Sequence, residues 1–278
     1  ELLEVWASRL LRGSRESLRF AQARLAEEGR GAPPSIARAL ESIVGEGALF
    51  GAQVNCCAAL GATGDRRHAN LLLRVLMNAS VPVVRSSAAE ALGALGDPAS
   101  APFLVSHARR EGEEGPRRAV FRALGELHCS ASGDFLEERI LAWLKRPLAV
   151  PEGETALNAI LLLKDEGAVE RLRRLGEHLP GPLKVKALAR RASLGDGSAV
   201  AGLVPFLEDG AWPSAAVRSQ AVAGLAMAGA WDVVLAAASD PDIKVRGAVA
   251  SGLGDPAAGN QGTEQLAAWA SDAEPGLR

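Results

Sequence analysis

The stretch that decides the fold is VVRSSAAEALGALGDPASAPFL, Val83 to Leu104. Val84, Ala88, Ala91, Leu92 and Leu95 recur at helical spacing and predict a buried stripe on a first helix. Gly96 ends that helix. Asp97 followed by Pro98 then has the form of an N-cap and first-turn proline for a second helix, with Ala101, Leu104, Val105 and Ala108 as its apolar positions.

The unit is repeated along the chain. AVRSQAVAGLAMAGAWDVVL from Ala216, KVRGAVASGLGDP from Lys244 and PLKVKALARRASLGDGSAVAGL from Pro182 are weaker copies. The Leu-Gly pairs at Leu60, Leu92 and Leu124 are spaced by 32 residues, the length of one two-helix unit, and the Asp of the turn returns at Asp65, Asp165 and Asp196. We call the first and second helices of each unit A and B. The predicted fold class is therefore all-α, a right-handed α-α superhelix of stacked helical hairpins.

Composition agrees. Hydrophobic residues make up 48% of the 278, aromatics only 4%, with no Tyr, so the core is expected to consist of Leu, Val and Ala. Small side chains let helices approach closely, and Ala and Leu favour helix over strand. A formal charge of −2 provides no global attraction to nucleic-acid phosphates. Cys56, Cys57 and Cys129 are too few for a disulfide framework and are expected to be buried thiols.

Before the repeats, residues 1–47 are predicted to form an N-terminal helical cap continuous with an array over 48–278; Pro147, Pro151 and Gly153 mark a longer connection and a candidate bend. The chain opens at Glu1, which is consistent with a removed export signal or an upstream domain; with no apolar run of membrane-spanning length, the expected location is the cytoplasm. DAEPGLR at 272–278 echoes DPDIKVR at 240–246, so the sequence stops at the opening of another unit: either further repeats follow or the ordered part ends there.

The repeat resembles the HEAT-repeat family, in particular its bacterial branch with the phycobilisome-lyase-like repeats. That pattern is a Val-Arg pair opening helix A, an Ala-rich helix ending Leu-Gly, an Asp at the turn and an apolar helix B. Val84-Arg85, Val217-Arg218 and Val245-Arg246 match the pair, and Arg117 and Lys184 stand at the same place. Gln53, Cys129 and Ala230 depart from it. The resemblance implies a hydrogen-bonded ladder between this Arg and the turn Asp.

No chemical motif is complete. Gly195-Asp196-Gly197 and Gly45-Glu46-Gly47 begin like phosphate loops without finishing one, and there is no G-x-S-x-G or H-E-x-x-H. The HEAT-repeat metal hydroxylases use His-Glu pairs; none of His68, His107, His128 and His178 is followed by Glu. His128-Cys129 with Cys56-Cys57 lacks metal-site spacing. No catalytic residue, cofactor or metal is therefore assigned.

The leading expectation is a non-catalytic scaffold that binds a protein partner through the curved surface of its B helices. Asn70, Arg74, Ser106, Glu170 and Arg174 fall on the exposed side of helix B, and Arg74, Arg110, Trp143, Arg174, His178 and Trp212 are the candidate partner-binding residues. The alternative that the resemblance implies is a phycobilisome-lyase-like enzyme or chromophore chaperone. Nucleic-acid binding ranks third, because acidic residues lie among the Arg clusters.

Overall fold

The computed structural model describes residues 50–145, 150–163, 165–207 and 214–270; the expected cap over 1–47 and Trp212 lie outside the described residues. The chain divides into two compact units, the first ending at Asp165 and the second beginning at Glu166. Among the described residues there are fourteen α-helices and no strand. No described helix is long and apolar enough to cross a membrane.

The first unit contains α1 (Phe50–Ala62), α2 (Ala69–Asn78), α3 (Pro82–Leu95), α4 (Ala101–Arg110), α5 (Glu114–Glu126), α6 (Gly133–Lys145) and α7 (Val150–Leu162). The A helices α1, α3, α5 and α7 pack each on the next, while the B helices α2, α4 and α6 pack on the A helix that follows them. In the second unit the helices are α8 (Ala168–Gly176), α9 (Gly181–Ser193), α10 (Gly197–Leu203), α11 (Ala215–Met227), α12 (Trp231–Ala236), α13 (Ile243–Leu253) and α14 (Gly259–Ala270). There α9, α11 and α13 form the A layer. Each unit is thus a stack of helical hairpins, the construction of an α-α superhelix.

Local chemistry explains the units. Helix α3 starts with Pro82 in its first turn, buries Val84, Ala88, Ala91, Leu92 and Leu95, and stops where Gly96 takes a left-handed φ of 64°. The Asp97 carboxylate then accepts from the Ala99 amide, and a 3-10 turn over Pro98–Ser100 leads into α4. Asp65, Asp196 and Asp255 cap the Arg67, Ser198 and Ala257 amides in the same way. Where Cys129 or Ala230 replaces the Asp, no side chain caps the helix. At the Gly96 position of the next unit stands His128, held at φ 49°; its Nδ1 lies 3.0 Å from the Leu162 carbonyl oxygen.

The Leu-Gly pairs serve the A layer. Leu60, Leu92 and Leu124 are fully buried, and each neighbouring glycine faces an alanine of the next A helix. A Cβ on Gly61, Gly93 or Gly125 would stand 2.7, 2.9 or 2.8 Å from the Cα of Ala91, Ala123 or Ala159. Only glycine allows that approach. In the second unit Gly224 faces Ala189 and Gly252 faces Ala226.

Candidate functional site

The Arg of the Val-Arg pair forms a ladder, though not with the turn Asp that the resemblance implied. Arg85 donates through Nε and Nη2 to Glu111, which follows the B helix α4, at 2.7 and 2.9 Å. Its Nη1 donates to the Ala79 and Ser80 carbonyls at 3.0 and 3.1 Å, before α3. One unit on, Arg117 donates to the Glu111 carbonyl at 2.7 Å and to both oxygens of Glu152 at 3.1 and 3.0 Å. In the second unit Arg218 grips Asp240 at 2.8 and 3.0 Å, and Arg246 donates to the Asp240 carbonyl at 2.7 Å. One residue between helix B and the next helix A thereby holds the preceding Arg with its carboxylate and the following Arg with its carbonyl. The turn Asp is already occupied with the cap, and Asp196 takes Arg191 of its own hairpin at 2.6 Å.

These contacts shift the acids in the direction pairing demands. Burial alone would raise the Glu111 carboxyl; hydrogen bonds from Arg85 and from the Glu113 amide outweigh it and hold the group at about 2. Asp196 is also at about 2, burial being overcome by Ser198 and Arg191, and the Arg67 hydrogen bond brings Asp65 to about 2. His107 lies 3.0 Å from Glu111, yet burial lowers its pKa despite that carboxylate. Burial likewise pushes the Cys56 thiol up to about 11 and that of Cys57 higher still, leaving both protonated and poorly nucleophilic at neutral pH. Cys129 is partly buried rather than fully so, and all three are free.

Among the described residues no cluster of three or more His, Cys, Asp or Glu side chains could hold a metal ion. The strongly perturbed carboxylates are each engaged by a structural Arg.

The sequence-derived register of the B helices is observed: Asn70, Arg74, Ser106, Glu170 and Arg174 are all exposed. Of the candidate partner-binding residues, Arg74 is exposed on α2, and Arg110 is exposed on α4, donating to the Ser106 carbonyl and hydroxyl at 3.2 Å. Trp143 on α6 is half-buried; a methyl group on Gly153 of α7 would run into its ring, so part of the indole belongs to the packing between α6 and α7. In the second unit Arg174 and His178 are exposed at the end of α8 and just after it. Arg74 and Arg110 thus stand on neighbouring helices of one unit, with Arg174 and His178 together in the other.

Two exposed apolar side chains were not singled out by the sequence reading: Met77 on α2, 44% exposed, and Phe103 on α4, 56% exposed. Spacing could have shown the second, since Phe103, Ser106 and Arg110 share one helical face. Met77, Ala79, Arg85, His107, Arg110 and Glu111 line an open groove of about 310 Å³ at the C-terminal ends of α2 and α4. Elsewhere surface charges pair locally, as in Arg109–Glu138 at 2.7 Å and Arg173–Glu170 at 2.9 Å. Such exposed pairs add little stability.

The family model for HEAT repeats matches residues 51–125. No curated protein matches the chain by sequence. Among solved structures the chain is similar to human deoxyhypusine hydroxylase in complex with glycerol, at 20% identity over 91% of this chain and 94% of that one, with a TM-score of 0.38. It is also similar to the complex of CpcE and CpcF of phycocyanin lyase from a Nostoc species, at 20% identity over 90% of this chain and 94% of that one, with a TM-score of 0.44.

Proposed function

We propose that this chain, whose residues 51–125 are HEAT repeats, is a non-catalytic scaffold that binds a protein partner on the surface of its B helices. The observation that carries this reading is a division of labour among the polar side chains. The buried and half-buried charged groups Arg85, Glu111, Arg191, Asp196, Arg218 and Asp240 are spent on joining and closing hairpins. The outward faces of the B helices instead present Arg74, Ser106, Arg110 and Arg174, with Phe103 and Met77 beside the first three. A stacked array displays such side chains on a rigid base, so a partner can be held without folding costs in the array itself.

Affinity capture from a lysate of the source organism tests the reading. The parent chain and an Arg74→Glu, Arg174→Glu variant are compared by mass spectrometry, with circular dichroism confirming that both are folded. The scaffold reading predicts proteins retained by the parent and lost from the variant. Bilin transfer by the purified chain to an acceptor protein would replace it with the lyase-like alternative.

A further inference from the structure

The repeat pattern breaks at one turn of the second unit, and a tryptophan follows the break. Ala230 stands where Asp65, Asp97 and Asp196 cap their hairpins; no side chain caps the helix there, and Trp231 is half-buried at the start of α12. Met227, at the end of α11, is 65% exposed, more than any other large apolar side chain among the described residues. Both line a groove of about 350 Å³ between α11 and α13, together with Ala226, Ala248, Gly252 and Asp255. A Cβ on Gly252 would stand 2.7 Å from that of Ala226, so the two helices meet closely there. Five residues after the ladder Arg, α3 and α5 carry Glu90 and Arg122, which pair with each other. At that place α11 and α13 carry Ala223 and Ser251, both exposed and both lining the groove.

The one charge in that lining is negative. Asp255 is exposed, caps the Ala257 amide at 2.8 Å through one carboxylate oxygen, and pairs with no cation of the described residues. The charged residues within α11 and α13 are Arg218, Lys244 and Arg246. Arg218 holds Asp240, and Arg246 donates to the Asp240 and Pro241 carbonyls. Lys244 lies in the first turn of α13, at the opposite end from Asp255. A second exposed acid, Asp232, directly follows Trp231. The groove thus joins an indole, a thioether and a carboxylate, and no cation is among its lining residues.

We propose that this groove seats an arginine side chain of a protein partner, with the methylene stem against Met227 and Trp231 and the guanidinium held by the indole and the Asp255 carboxylate. Long cationic side chains lay their stems along apolar surface while the charged head keeps polar company. A planar guanidinium also stacks on an indole and pairs with a carboxylate, which suits it to this lining better than an ammonium. A purely apolar side chain would bury Asp255 without a counter-charge, and an anion would be repelled by it. The volume of about 350 Å³ lies near the bottom of the range, about 300 to 1,000 Å³, that encloses small ligands, so one side chain fits it better than a cofactor does. The site uses none of the partner-binding residues named above and stands independently of them.

The chain has two methionines, Met77 and Met227, so methyl labelling of methionine gives the groove a resonance of its own and the first unit an internal reference. The full 278-residue chain, labelled with carbon-13 at the methionine methyls, is titrated with the peptide acetyl-Gly-Ser-Arg-Ser-Gly-amide, with its citrulline counterpart and with free arginine; Met77→Leu assigns the two signals. The expected result is a saturable shift of the Met227 methyl by the arginine peptide, with the Met77 methyl unmoved. The uncharged citrulline peptide, of nearly the same shape, binds about fivefold or more weakly, and Asp255→Asn and Trp231→Leu each weaken the arginine peptide to a similar degree, about fivefold or more. Asn still caps a helix through its side-chain oxygen, so Asp255→Asn removes the charge and keeps the turn; circular dichroism checks that both variants are folded. An unmoved Met227 signal, equal shifts of both methionines, equal binding of the citrulline peptide, binding indifferent to Asp255→Asn, or tighter binding of free arginine than of the peptide would overturn the proposal. None of these outcomes touches the B-helix scaffold reading, which the lysate capture tests separately.

Discussion

Arg85 and Glu111 form a part-buried bidentate ion pair across the two ends of one hairpin, with nitrogen to oxygen distances of 2.7 and 2.9 Å. Glu111 also accepts the Glu113 amide at 3.0 Å and offers its carbonyl to Arg117 at 2.7 Å, so one residue ties two successive units. Removing its carboxylate leaves the Arg85 guanidinium, largely buried, without its anion. Glu111→Ala is therefore expected to destabilise the first unit by about 3 kcal/mol or more. Urea unfolding monitored by circular dichroism checks this. An unchanged midpoint would show that the pair is ornamental.

Acid should unfold the protein through the same group. The Glu111 carboxyl sits at about 2 in the folded chain against an ordinary 4.5, and Asp196 at about 2 against 3.8. A carboxyl whose pKa is depressed by folding contributes stability that is present above its ordinary value and is lost as pH falls through the folded one. Melting temperature is expected to hold near neutrality and to drop steeply from about pH 4.5 towards 2, with a shallower drop in Glu111→Gln. A profile flat across that window would contradict the ladder.

The Leu-Gly signature predicts opposite signs at two helical glycines. Gly-to-Ala inside a helix normally gains up to about 1 kcal/mol. At Gly93 the new methyl would meet Ala123, with Cα at 2.9 Å and Cβ at 3.1 Å, so α3 and α5 must separate. Gly93→Ala should lower stability by about 1 to 3 kcal/mol. At Gly247 in α13 nothing lies within 4 Å of the added carbon, and the same change should stabilise. Thermal melts of the two variants decide the matter; a gain at Gly93 would mean that the A helices do not approach this closely.

His128 occupies a left-handed position that Gly64 and Gly96 fill in the preceding units. Its ring nitrogen, 3.0 Å from the Leu162 carbonyl oxygen, offsets part of the strain by bonding the end of α7. His128→Ala loses the bond and keeps the strain, whereas His128→Gly loses both, so the glycine variant should be the more stable by about 1 kcal/mol. The reverse order in a melt would place the residue outside the left-handed region.

Much of the fold was legible because it is written in local chemistry. The Val84 to Leu95 stripe, the Gly96 stop and the Asp97 cap each follow from a few neighbouring residues, and each is observed. The ladder was less legible because its acids keep no fixed distance from their arginines: Glu111, Glu152 and Asp240 follow Arg85, Arg117 and Arg218 by 26, 35 and 22 residues. The regularly placed turn Asp attracted the assignment instead, although its short reach suits it to the cap. For the candidate site, helical register was enough to expose Arg74, Ser106 and Arg174. It could not say that part of the Trp143 ring packs against α7, because that depends on Gly153 of another helix.

A photoreactive amino acid placed at 106, on the outer face of α4, or at 90, on the outer face of α3, measures most directly which surface holds the partner. Each full-length variant is irradiated in lysate of the source organism, and adducts are identified by mass spectrometry. The account predicts a discrete protein adduct from position 106 that disappears when Arg74 and Arg174 are both replaced by Glu, and none from position 90. Adducts from position 90 alone, or an adduct at 106 indifferent to the arginines, would contradict it.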